Sequence, residues 1–74
     1  MPMRVFVNAA AVDVDAGSTA IDCVRSWRSE EADAVIAGAR LITDSRGLPI
    51  ASDSSAHAGS IYRTVPNRIA ARDE

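Results

Sequence analysis

Cys23 and His57 are the sole thiol and the sole imidazole of the 74-residue sequence, so nucleophilic or metal chemistry near neutral pH would draw on them first. A cysteine nucleophile needs a neighbouring base and an electropositive setting. Cys23 instead stands between apolar positions at helical spacing, beside Ile21 and Val24, with Asp22 its only charged neighbour. Free cysteine is among the most buried residue types, and an inert packing role is the expected one. His57 lies in a polar stretch before Gly59, where a solvated imidazole is the ordinary state. Nothing in the spacing brings the two together as a dyad. One His and one Cys cannot complete a four-ligand structural zinc site, a single cysteine forms no internal disulfide, and no cofactor motif is present.

The elements that would position these residues can be read from hydropathy. Met3, Val5 and Val7 alternate with Arg4, Phe6 and Asn8, and Val12 and Val14 alternate with Asp13 and Asp15. Period-two patterns of this kind mark strands buried on one face. The short Asn8-Ala9-Ala10-Ala11 link suits a tight hairpin, though Asn-Ala is a weaker turn signal than Asn-Gly. Thr19 followed by Asp22 is a variant capping box, with Ser18 an alternative cap. Ala20, Val24 and Trp27, widened by Ile21 and Cys23, then form the apolar stripe of a helix whose wet side carries Asp22, Arg25 and Arg28. Trp27 is expected to close the core.

Ser29-Glu30-Glu31 reads as a second helix start, with Ser29 as N-cap and an acidic first turn. Ala32, Val35, Ile36 and Ala39 continue it, with Gly38 weakening its end. Arg40–Thr43 and Leu48–Ile50 read as strands around Asp44-Ser45-Arg46-Gly47, a type I turn with a glycine bulge. Pro49 confines the second of these to an edge or to a very short strand. A polar loop over 51–58 leads to a last strand, Ser60 to Val65, stopped by Pro66. The order is strand, strand, helix, short helix, strand, strand, strand.

Size and charge bound the rest. A chain this short buries about 60% of the surface its unfolded form exposes, and a core of this size supplies roughly 3–5 kcal/mol of net stability. The formal charge of −2, with eight arginines and no lysine, lacks the basic stripe of a nucleic-acid binder. No apolar run long enough for a signal peptide or a membrane span is present. With its unpaired cysteine the chain is expected in the reducing cytoplasm, without nucleic acid or membrane as partner.

Met3-Arg4-Val5-Phe6-Val7-Asn8, Val12-Asp13-Val14-Asp15-Ala16-Gly17-Ser18-Thr19-Ala20-Ile21-Asp22 and the turn Ala58-Gly59-Ser60-Ile61 resemble the ubiquitin-like β-grasp sulfur carriers of the ThiS and MoaD type. The resemblance implies an α+β β-grasp domain over residues 1–66, in the order ββα(α)βββ, with four to five strands in a mixed sheet on one main helix. Residues 67–74 are expected to form a flexible tail. Carriers of this family work through a C-terminal Gly-Gly, whose side-chain-free backbone threads a partner's narrow active site. No Gly-Gly occurs in this sequence, and its last glycine is Gly59.

The expected function is therefore a non-catalytic, ubiquitin-like interaction module that binds another protein or itself. The alternative is a divergent carrier activated at the carboxylate of Glu74 or of a trimmed form. Phe6, Tyr62, Arg63 and Arg68 are the candidate partner-binding residues. Phe6 faces the open side of the sheet if Val5 and Val7 face the helix. Arg63 joins it there if Tyr62 and Thr64 point inward; if Ile61 and Val65 are the buried pair, Arg63 runs its stem along the core instead. Arg68 and Arg72 on the tail could meet an acidic surface, with solvation beside Asp73 and Glu74 as the simpler state.

Overall fold

A computed structural model describes residues 1–67. It shows an α+β fold with a mixed four-stranded sheet and two helices. The elements are β1 (Pro2–Val7), β2 (Ala10–Asp15), α1 (Ala20–Trp27), α2 (Ser29–Ile36), β3 (Arg40–Thr43) and β4 (Ile61–Pro66). The sheet order is β2-β1-β4-β3, with β1 antiparallel to β2 and parallel to β4, and β4 antiparallel to β3.

The alternation in β1 and β2 sets the two faces. Val5 and Val7 are fully buried and Val14 nearly so, and they pack with Ala20, Cys23 and Val24 of α1. Ile42 of β3 and Tyr62 of β4 complete the same inner face. Trp27 packs on this core half-buried, with the Arg28 guanidinium 4.9 Å from its ring centre, a cation–π contact.

Local chemistry explains where the helices start and stop. Thr19 caps α1 through the expected box: its hydroxyl accepts from Asp22 N–H (3.4 Å) and its N–H donates to the Asp22 carboxylate (3.0 Å). Arg28, in extended backbone at φ −154°, ends α1 and is itself the N-cap of α2. Ser29 is thus the first helical residue, and α2 has no side-chain cap. The second helix also ends three residues earlier than its apolar spacing suggests. Gly38 (φ 84°) turns the chain left-handed, Gly38 N–H donates to Val35 C=O and Ala39 N–H to Ala34 C=O, which is a Schellman stop. Ile36 consequently lies 64% exposed.

The turn after β3 matches its sequence. Gly47 N–H reaches Asp44 C=O (3.0 Å), Gly47 has φ 85°, and the Asp44 carboxylate accepts from Arg46 and Leu48 N–H (2.8 and 3.0 Å). Leu48–Ile50 does not form a fifth strand. Pro49 makes one isolated bridge to Thr43, and Ile50 N–H donates to Ile42 C=O. The missing proline N–H stops the ladder from growing. Asn67, expected in the tail, is tied back through its N–H to Ala39 C=O and its side-chain amide to Gly38 C=O. Among the described residues no helix is long and apolar enough to cross a membrane.

The β1–β2 hairpin closes over two residues, Asn8 (φ 51°) and Ala9 (φ 71°), both left-handed as a type I′ turn requires. Asn8 does more than turn. Its N–H donates to Tyr62 C=O, and its side chain then accepts from Thr64 N–H (3.1 Å) and donates to the Thr64 hydroxyl (2.9 Å). The amide side chain thus stands in for the next strand residue where the backbone has turned away.

The two turn residues should respond oppositely to glycine. Ala9→Gly relieves a left-handed alanine and is expected to stabilise by about 1 kcal/mol. Asn8→Gly keeps the turn but removes both side-chain bonds, and is expected to cost about 1–2 kcal/mol. Urea unfolding midpoints at constant slope check both signs.

Candidate functional site

Three surfaces of the fold carry polar or exposed side chains in groups. The first is a part-buried network at the far end of β4. The Thr64 hydroxyl donates to the Glu31 carboxylate (2.7 Å) and accepts from Asn8, Arg40 donates to Thr64 C=O (3.2 Å), and Arg40 pairs with Glu31. α2 buries only Ala32 fully, so this network is a main tie between that helix and the sheet. The Thr64 hydroxyl, the Asn8 amide and one Glu31 carboxylate oxygen are engaged with one another. Sequence reasoning missed it. The available signal was a threonine and an arginine at inward-facing strand positions opposite an acidic helix start.

A second is an open groove of about 410 Å³ lined by Asp44, Ser45, Ser54, Ser60, Ile61 and Tyr62 among others. Asp44 is engaged with its own turn. Hydrogen bonding from Leu48 N–H, seconded by the Arg46 N–H and guanidinium, holds its carboxyl below the ordinary range. The neighbouring loop over 51–56 is likewise occupied. Ser54 and Ser52 carbonyls accept from Ala20 and Ile21 N–H, and Ala56 N–H donates to Ser18 C=O. With Thr19 serving Asp22 and Cys23 N–H, the first four amides of α1 are satisfied, and the helix start offers nothing to an anion.

The third is the sheet face away from the helices. The register pairs Phe6 with Ile61 and Leu41 with Val65, placing these four apolar side chains on that side. Phe6, Leu41 and Val65 are half-buried and Ile61 is 47% exposed. Arg63 is exposed on the same face and makes no ion pair among the described residues, whereas Arg4 is paired with Asp13 at 3.1 Å. Where β1 ends, Arg63 and Val65 line an open groove of about 310 Å³ with Asn8, Ala9 and Thr64.

Of the residues singled out from sequence, Phe6 and Arg63 are thus brought to one face. Tyr62 is not: it is 4% exposed and shares the inner face with Val7, its register partner, because the strand turns Tyr62 and Thr64 inward together. Burial raises its hydroxyl pKa, partly offset by a hydrogen bond with Ser60. Arg68 lies outside the described residues, as do Arg72, Asp73 and Glu74. Ile61, Leu41 and Val65 join the face without having been picked out.

Cys23 is fully buried and burial, with the Asp22 carboxylate second, pushes its thiol up. His57 is exposed, and no hydrogen bond joins the two. Among the described residues no group of three or more His, Cys, Asp or Glu could hold a metal ion. No protein-family model, curated protein or solved structure matches the chain.

Two measurements check this electrostatic picture. Cys23 is expected to react with a disulfide reagent at pH 8 far more slowly in the native protein than in urea; equal rates would mean an accessible thiol. Asp22 and Asp44 both titrate below their ordinary range when folded, Asp22 through hydrogen bonding from the Thr19 N–H first. Their contribution is complete above the unfolded carboxylate value of about 3.9 and is lost as pH falls through the lower folded values. Stability against urea should therefore fall on acidification below about pH 5, and Asp44→Asn should make that fall shallower.

Proposed function

We propose that this protein is a non-catalytic interaction module with a ubiquitin-like β-grasp fold, docking another protein on its open sheet face. The β-grasp assignment is supported by the sheet order β2-β1-β4-β3, by the parallel pairing of the first and last strands, and by the helices inserted between β2 and β3. The observation that carries the docking surface is the Phe6–Ile61 pair on the sheet face that neither helix covers, with Arg63 beside it making no ion pair among the described residues. Aromatic and arginine side chains are the types enriched at protein interfaces. The fitting partner surface presents an apolar side chain to Phe6 and Ile61 and a carboxylate to Arg63. A catalytic role finds no support, since the only thiol is buried and the histidine stands apart from it.

The test uses a photo-crosslinking residue at Ile61 in the source cell, with sedimentation to score self-association separately. A discrete heterologous adduct that disappears in Arg63→Glu is expected. Labelling that is absent, or that survives Arg63→Glu unchanged, would contradict the proposal. A crosslinked dimer of the chain would replace the heterologous partner by a second copy.

A further inference from the structure

The two edges of the sheet differ. At the β3 edge, Ile50 N–H donates to the outward Ile42 C=O and Pro49 bridges Thr43, so a segment of the chain itself covers the ladder and proline blocks its extension. At the β2 edge no described residue pairs: among the described strands β2 is bonded to β1 alone.

Which groups β2 offers follows from the turn. Val7 and Ala10 close a two-residue hairpin, so their N–H and C=O groups face each other, and alternation along the register gives Val5–Val12 and Met3–Val14 the same role. Phe6 and Asn8 N–H turn the other way, to β4, as this alternation requires. The backbones of Ala11, Asp13 and Asp15 therefore point out from the free edge. Of their groups, Asp15 C=O is taken by Ser18 N–H at 3.1 Å. The N–H groups of all three, and the C=O groups of Ala11 and Asp13, have no backbone partner among the described residues. β2 carries no proline, lysine or bulge, and the carboxylates of Asp13 and Asp15 are the charges that guard this edge against strands of like charge.

The side chains give the missing strand its character. Ala11, Asp13 and Asp15 are exposed on the open face, while Val12 on the helix-facing side is half-buried. A second copy pairing along this edge would set carboxylates against carboxylates, which is unfavourable between adjacent strands. A strand with basic residues on the open face and apolar ones above Val12 meets both sides. Asp13 is already shared with Arg4, whereas Asp15 makes no ion pair among the described residues.

We infer that the outer edge of β2 is a strand-addition site for an extended peptide with basic and apolar residues in alternation. Backbone hydrogen bonds supply the register and the alternate side chains the selectivity. The site borders the Phe6–Ile61 face, Ala11 being the register partner of Phe6, but it is defined by the β2 backbone and does not depend on docking at Phe6 and Ile61.

The test titrates the intact protein with a capped six-residue peptide alternating Lys and Val, at low salt, and follows amide shifts and hydrogen exchange. Saturable shifts and slowed exchange at Ala11 and Asp13 are expected, together with loss of binding when the peptide's inward amides are N-methylated. Asp15→Lys, a change at an exposed position, should weaken binding about tenfold, and Phe6→Ser should not. Four results would overturn the site: no binding, equal binding of a Glu-Val peptide, indifference to N-methylation, or shifts centred on Phe6 and Ile61. Concentration-dependent protection of Ala11 without peptide would overturn it too, since a second copy would then occupy the edge.

Discussion

The burial of Val5 and Val7 beneath α1 is the constraint on which the rest of the structure depends. Both are fully inaccessible, and they lie in one of the two central strands, antiparallel to β2 and parallel to β4. Because successive side chains of a strand alternate, fixing these two inward sends Arg4 and Phe6 outward. The parallel register then carries the choice to β4: Tyr62 follows Val7 inward, and Ile61 follows Phe6 outward. A slip of one residue would exchange the two faces entirely. The surface proposed for docking is therefore a by-product of how the core is filled.

A core of this kind is thin. Its largest fully buried side chains are Ile42, Val5, Val7, Val24 and Cys23, and no disulfide reinforces it. Polar connections make up part of the difference. Asn8, Thr64, Glu31 and Arg40 join the hairpin turn, the last strand, the second helix and β3 in one network, while the loop over 51–56 is laced to the start of α1 through backbone bonds. Most of these bonds reach across long stretches of sequence. They are satisfied only when all the elements are in place, which favours cooperative folding over stable fragments.

That same dependence separates what could be read in the sequence from what could not. The hairpin, the Thr19 cap and the Asp44–Gly47 turn each follow from a few adjacent residues, and each forms as its local chemistry directs. The apolar spacing of Ile36 and Ala39 runs past the point where Gly38 turns the backbone, so α2 stops short of it. Ser29 looked like a cap, yet the chain breaks one residue earlier at Arg28. The side of Arg63 was open, since Ile61 and Val65 are as apolar as Tyr62 is; only the pairing with β1, fifty-odd residues away, decides it. Thr64 inside the network is legible only in hindsight, because a threonine can face either side until its partners are known. Of the candidate residues, alternation alone directs Phe6 to the open face, while the faces of Tyr62 and Arg63 follow only from the register with β1, which buries Tyr62.

Amide hydrogen exchange along β1 tests the central claim most directly. If the strand is the keystone, the N–H groups of Val5, Phe6, Val7 and Asn8 exchange only through global unfolding, at the free energy found by denaturant titration. Exchange of these amides as fast as those of the loop over 51–58, while β3 or α2 stayed protected, would contradict it.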